Sequence, residues 1–197
     1  DIKHTVQDFF SETEQRLRLL RSYASQGFFT NDDPDEFFKF AMPLLKHNPD
    51  YQFFRIARED SHELFFERNG DGWALRLTFP AKMPGQAVWT YWNGSETKEK
   101  TLTAPTVFDC RIRPWFASTL ALEDPSSVAW TLPYVFVSNR AAGISATHPF
   151  RDKNGTRHIL GFGINVENIS TMTKHITVGK TGYIVLFDSA GSIIGLP

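Results

Sequence analysis

Apolar residues recur at helical spacing from the start of the chain: Ile2, Val6, Phe9, Phe10, Leu17, Leu20 and Tyr23, with Glu12, Glu14, Gln15, Arg16 and Arg18 set between them. This pattern predicts one long amphipathic helix over residues 2–27, ending near Gly27. Asp33-Pro34 predicts a second helix start, with Asp33 as N-cap and Pro34 in the first turn. That helix carries Phe37, Phe38, Phe40, Leu44 and Leu45 and should stop before Pro49, with Pro43 placed to kink it. Beyond Pro49 the period changes to that of strands. Tyr51–Ala57, Glu63–Arg68, Trp73–Phe79, Ala87–Trp92 and Glu99–Leu102 read as strands, with hairpin turns at Asn69-Gly70-Asp71-Gly72 and Asn93-Gly94. A short helix is expected around Trp115–Leu122, then strands at Tyr134–Ser138, Gly143–Pro149 and Arg157–Val166. A helix over Glu167–Ile176 and a hairpin of Tyr183–Asp188 with Ser192–Ile194 complete the reading.

The order of elements is α+β, a long helix leading into an antiparallel sheet with helices packed on it. The best boundary is the Val178-Gly179-Lys180-Thr181-Gly182 stretch, which divides the chain into residues 1–178 and a terminal hairpin, 179–197, too small to stand alone. A first helix of ~26 residues spans about 39 Å, more than one small sheet covers. Its end nearest Ile2 and Val6 is therefore expected to be poorly packed within the chain.

Composition narrows the function. Of 197 residues, 41% are apolar and 18 are Phe, ample for a core. Lys and Arg number 21 against 22 Asp and Glu, a formal charge of −1. Such a balance argues against a nucleic-acid or anionic-membrane surface, which gains affinity from clustered cations. The single cysteine, Cys110, forms no internal disulfide and holds no zinc alone; the six histidines lack metal-ligand spacing. Neither a metal nor another cofactor is expected. No run of ~20 apolar residues occurs, so membrane attachment is expected through flanking helices outside this chain.

Signals for catalysis fall short. Gly179-Lys180-Thr181 resembles the end of a phosphate-binding loop, but Lys174 stands where that loop needs its first glycine. No Gly-x-Ser-x-Gly elbow is present, and Asp32 and Asp33 read as helix caps. No catalytic residue is assigned.

Residues 108–166 are more informative. Arg113-Pro114-Trp115 sets a fixed cation beside a large aromatic face, and Pro114 biases the residue before it to extended backbone. A cation and rings near a sheet can grip a small anionic or polar ligand. Equally, Arg113 can pair internally with Asp109 while Trp115 fills the core. The stretch Asp109-Cys110-Arg111-Ile112-Arg113-Pro114-Trp115-Phe116, then Trp130…Pro133-Tyr134, Pro149…Gly155 and Gly161…Asn165, closely resembles the signature of the Cache family of bacterial sensor domains. The resemblance spans nearly the whole chain.

It implies a PAS-like fold: a central antiparallel sheet with a long N-terminal helix and short flanking helices. It also implies an extracytoplasmic small-molecule sensor on the periplasmic or extracellular side of the bacterial inner membrane, not an enzyme, coupled to a cytoplasmic output module. Residues 1–178 would be the membrane-distal lobe and 179–197 the opening hairpin of a truncated proximal lobe. A homodimer would form through the N-terminal helix. The alternative is a dimerisation or partner-binding module with a vestigial pocket. Ligand-binding residues expected from the resemblance are Arg113, Trp115, Phe116, Tyr134, Phe136, Trp89, Tyr91, His148 and Asn165. In amino-acid sensors of the family, acidic residues hold the ligand ammonium; here the corresponding positions read Phe136 and Asn165. Burying an ammonium without a counter-charge costs several kcal/mol. An organic acid or neutral metabolite is therefore expected as ligand in preference to an amino acid.

Overall fold

The computed structural model describes residues 2–28, 32–174, 182, 184–188, 191 and 193–195. Helix α1 (Ile2–Ser25) and helix α2 (Pro34–Lys46) come first. The Asp33 side chain accepts the amides of Asp35 and Glu36, and Pro34 occupies the first turn, as the cap pattern predicts. Five strands follow as a meander: β1 (Phe53–Arg58), β2 (Glu63–Asn69), β3 (Gly72–Thr78), β4 (Gln86–Trp92) and β5 (Lys98–Pro105). A short 3-10 turn, Cys110–Ile112, runs into α3 (Pro114–Leu120). Then come β6 (Ala129–Trp130), β7 (Tyr134–Val135), β8 (Ala142–Arg151), β9 (Arg157–Asn165) and α4 (Val166–Lys174). The final pair is β10 (Leu186–Phe187) and β11 (Ile193–Gly195).

Pairing joins the first nine strands into an antiparallel sheet in the order β5-β4-β3-β2-β1-β9-β8-β6, with β7 also on β8. The return of β9 to pair with β1 puts the first strand of the meander in the middle of the sheet, which fixes its two faces. Successive strand residues point to opposite sides. One side carries Phe54 and Ile56 of β1, Leu64 and Phe66 of β2, Trp73 and Leu75 of β3, and Leu160, Phe162 and Ile164 of β9. These pack under Leu17, Leu20 and Ala24 of α1 and Phe37, Phe38, Ala41 and Leu45 of α2. Ring contacts knit the layer: Phe37 stacks on Phe54 at 6.0 Å and Phe38 on Trp92 at 4.3 Å. The other side is covered by α3 and the loops around it. With both sides covered, β1, β2 and β9 are buried almost throughout.

The predicted architecture is the observed one; the departures are local. Tyr134–Ser138 pairs only at Tyr134 and Val135, because the chain turns back after Val135. The Phe136 amide donates to the Ala141 carbonyl at 2.9 Å, and Arg140 adopts φ 60° in the turn. Ala129–Trp130, unanticipated as a strand, pairs with Thr147 and Ala146. At the chain's other end, Phe9 and Phe10 are half-buried, Phe10 lying 4.7 Å from the Trp130 ring, and Glu14 accepts the Trp130 indole N–H at 3.1 Å. Phe9 and Phe10 are thus only partly packed within the chain, and the side chains of Ile2 and Val6, where poor packing is expected, lie outside the described residues. The boundary at 178/179 also lies outside them. Nearby, Ile194 is buried and Gly195 approaches Ile169 of α4.

Phe162 is fully buried between Tyr51, at a ring distance of 4.1 Å, and Phe54, at 5.3 Å. Phe162→Ala is expected to destabilise the fold by about 3–5 kcal/mol, read as a lower urea midpoint at unchanged slope.

Candidate functional site

The sheet face away from α1 and α2 carries charge in a regular arrangement. Register sets Arg55 opposite Phe65, Phe65 opposite Arg76, and Arg76 opposite Trp89, a row crossing β1 to β4. Glu63 stands one row to one side, opposite Ala57 and Thr78, and Glu67 one row to the other, opposite Phe53 and Ala74. All four charged residues are buried, Arg55 to 5% exposure, Arg76 to 4%, Glu63 to 0% and Glu67 to 8%. The Glu63 carboxylate accepts from both arginines, from Arg55 at 3.4 Å and from Arg76 at 2.5 Å.

Aromatic rings hold the two guanidiniums in place. Arg55 Cζ lies 4.3 Å from the ring centres of both Phe53 and Trp115, and Arg76 Cζ lies 3.9 Å from Phe108 and 4.8 Å from Phe65. Their faces are occupied by these rings, and part of their edge is taken by Glu63. The Nε atoms of both arginines and the indole Nε1 of Trp115 are buried without a hydrogen-bond partner among the described residues. Burial lowers the Arg55 pKa, yet arginine keeps its charge at any physiological pH. Burial raises the Glu67 carboxyl above its ordinary range, which Ser138, Arg76 and Arg55 only partly oppose.

Arg55, Arg76 and Trp115 line a cavity with Phe53, Phe65, Phe108, Arg113, Tyr134, Phe136, Val137 and Ser138. The space within it open to water is about 10 Å³, roughly one molecule. Two glycines set its depth. A Cβ on Gly163 would sit 1.9 Å from Phe53 Cζ, and one on Gly143 would sit 2.2 Å from Phe136 Cζ. Those rings lie flat on β9 and β8 because nothing projects there.

Of the residues expected from the sequence, Arg113, Trp115, Tyr134 and Phe136 line the cavity. Arg113 has the extended backbone that Pro114 demands, φ −90° and ψ 145°, and stands half-buried at the rim. It donates to the Val135 carbonyl at 2.9 Å and lies 5.6 Å from the Tyr134 ring. It does not pair with Asp109, whose carboxylate is held by Arg111 at 2.6 Å and lowered to about 2, chiefly by that bond. Trp89 and Tyr91 share the cavity's face and stack at 6.0 Å, reaching it only through Arg76, 5.7 Å from Trp89. Phe116 is buried against Trp115 in a neighbouring cluster with Ala57, Cys110 and Ile159. Asn165 shares the face but donates to Gln52 at 3.2 Å.

His148 is placed elsewhere. Strand alternation aligns it with Ala146 and Phe150, toward α1, on the side opposite the cavity. It is completely buried, and burial, aided by Arg21 and Arg18, lowers its pKa to about 4. The charged floor of Arg55, Glu63, Arg76 and Glu67 was missed. Its signal was available: Phe53-Phe54-Arg55-Ile56 puts Arg55 on the Phe53 face of a strand with no solvent-facing alternation. Among the described residues no cluster of three metal-ligating side chains occurs, and no helix is long and apolar enough to cross a membrane.

No protein-family model and no curated relative matches the sequence. Solved structures do match. The ligand-binding domain of the Campylobacter jejuni chemoreceptor Tlp3, in complex with 4-methylisoleucine, aligns over 98% of this chain and 64% of its own, with a TM-score of 0.64 and 14% identity. That of Pseudomonas fluorescens CtaA with L-valine covers 98% and 68%, at TM-score 0.61 and 15% identity. That of Pseudomonas aeruginosa PctB with L-Arg covers 96% and 64%, at 0.60 and 16%. The chain thus spans less than two thirds of the first of these domains. Similarity at this level establishes the fold, and the PAS-like α+β fold expected from the sequence is the one found.

The position of His148 has a consequence for pH. An unfolded chain takes up a proton near 6.5, while the native imidazole resists it down to about 4. The unfolded state therefore binds more protons in this window, and stability falls as pH drops through it. Melting temperature should decline from pH 6.5 toward pH 4, and His148→Leu should make that decline shallower.

Proposed function

We propose that this chain, with the fold of a chemoreceptor ligand-binding domain, is the extracytoplasmic small-molecule-sensing region of a membrane-bound bacterial receptor. Its place would be the periplasmic or extracellular side of the inner membrane, tethered by flanking helices and reporting occupancy to a cytoplasmic output module. The observation that carries the reading is the aromatic cavity where Arg113, Trp115, Tyr134 and Phe136 meet on the sheet face away from α1. Pockets of this kind, largely apolar with a few fixed polar groups, are typical of small-molecule sites. The role is binding, and no chemistry is assigned to it. Residues 179–197 are read as the start of a membrane-proximal lobe.

Ligand class follows from charge. Arg55, Arg76 and Arg113 surround the cavity, Glu63 is occupied by two of them, and burial favours the neutral form of Glu67. The balance is positive, which favours an organic acid, or a neutral metabolite, over an amino acid bearing an ammonium. Leu19 and Tyr23, one turn apart and 57% and 46% exposed on α1, support helix-to-helix pairing of two copies.

A second reading, a dimerisation module whose pocket is vestigial, draws support from the small space open to water in the cavity. A thermal-shift panel of short organic acids, neutral metabolites and amino acids separates the two. A sensor gives a concentration-dependent rise in melting temperature with some acid or neutral compound, about 2.7 kcal/mol of stabilisation at a hundredfold excess over Kd. The vestigial reading is upheld if no compound raises it.

A further inference from the structure

The expected anchor, Arg113, sits at the rim with its guanidinium engaged by the Val135 carbonyl. The unpartnered donors lie deeper. Arg55 Nε, Arg76 Nε and Trp115 Nε1 belong to side chains at most 5% exposed, all three lining one cavity. Glu63 locks the arginines in register without using these N–H groups. An unpaired buried N–H is costly to leave unmade, and two guanidiniums with an indole offer what a single oxyanion accepts.

The remainder of the wall is apolar. Phe53, Phe65, Phe108 and Phe136 supply phenyl rings, Tyr134 a fifth ring, and its hydroxyl is already bonded to Ser145 at 2.7 Å. Nothing among these would favour a second charged group on the ligand. Val137 and Ser138 close the cavity on the turn after Val135. Since the open space is near 10 Å³, entry of anything larger than a water molecule requires these rings or that turn to part.

We infer that the cavity receives a compact ring-bearing oxyanion, its acid group bound by Arg55, Arg76 and Trp115 at the floor and its ring held among the phenylalanines. This rests on the cavity being a ligand site, as proposed above. Arg113 then acts as a latch on the turn at Val135 and not as the principal anion anchor. The acid group's chemistry, carboxylate or sulfonate, is shared; the arms of the test distinguish them.

Calorimetry on the purified chain with benzoate, cyclohexanecarboxylate, benzenesulfonate, benzamide and L-phenylalanine tests the assignment. Saturable binding of at least one ring acid is expected, with none of benzamide or L-phenylalanine. Arg55→Gln or Arg76→Gln should weaken the acid about tenfold or more, and Arg113→Ala only a few-fold. Because either floor variant leaves Glu63 with one cation fewer, Arg76→Gln is also combined with Glu63→Gln, and Arg76→Lys keeps the charge while removing the planar fork. Circular-dichroism melts identify which of these fold, and each folded one is expected to bind more weakly. Full affinity in a folded floor variant, or loss of binding in Arg113→Ala alone, would overturn the floor assignment and leave the sensor reading standing. Binding of L-phenylalanine that disappears in Glu67→Gln would overturn the ligand class. If no ring acid binds but another compound in the wider panel does, this inference alone fails; if nothing binds, the sensor reading fails with it.

Discussion

Two arginines and a glutamate buried on the middle strands of the sheet set the terms for everything around them. A buried ion group is tolerable only when paired and hydrogen-bonded, and losing one partner is more damaging than replacing the whole group by apolar residues. Glu63 meets that condition for Arg55 and Arg76 at once, from a position diagonal to both in the ladder. Rings of Phe53, Trp115 and Phe108 then cover the guanidinium faces and exclude water from them. Helix α3, which carries Trp115, and the loop before the 3-10 turn, which carries Phe108, thus pack against charge as well as against apolar groups. A hydrophobic sheet would fold as well. This one keeps charge where a pocket needs it.

Much of this was legible in the residues, at the level where periodicity speaks. The helical spacing of Leu17, Leu20 and Tyr23, the Asp33-Pro34 start and the glycine-bearing turns each carry a local physical signal, and each element formed where that signal lay. Non-local register carries no such signal. Nothing in Arg55 or Glu63 taken alone says that β9 will return beside β1 and set these strands in the middle of the sheet. Arg55, Glu63 and Arg76 are therefore absent from the ligand-binding residues expected from the sequence. His148 shows the converse. Its motif neighbourhood pointed toward the ligand, yet strand alternation with Ala146 and Phe150 turns it toward α1. Along a strand, one residue of offset decides which side of the sheet a side chain serves.

The two sides of the sheet are also physically coupled. β8 presents Ser145 and Thr147 to the cavity side, where they meet Tyr134 and Thr119, and Ala146 and Phe150 to the side of α1. A displacement of Tyr134 or α3 reaches the long helix through one strand's thickness. Such a path transmits a signal only to the degree that a ligand prefers one arrangement over the other.

Gly143 and Gly163 give the cavity an adjustable bore. Phe136 and Phe53 occupy the volume a Cβ would claim at each glycine, so ring and glycine form matched pairs whose sizes trade against each other. A smaller residue in place of the ring, matched by alanine in place of the glycine, would redistribute space within the pocket without touching one charged group. In the ligand site proposed above, girth would in this way be set apart from charge, through two positions on adjacent strands.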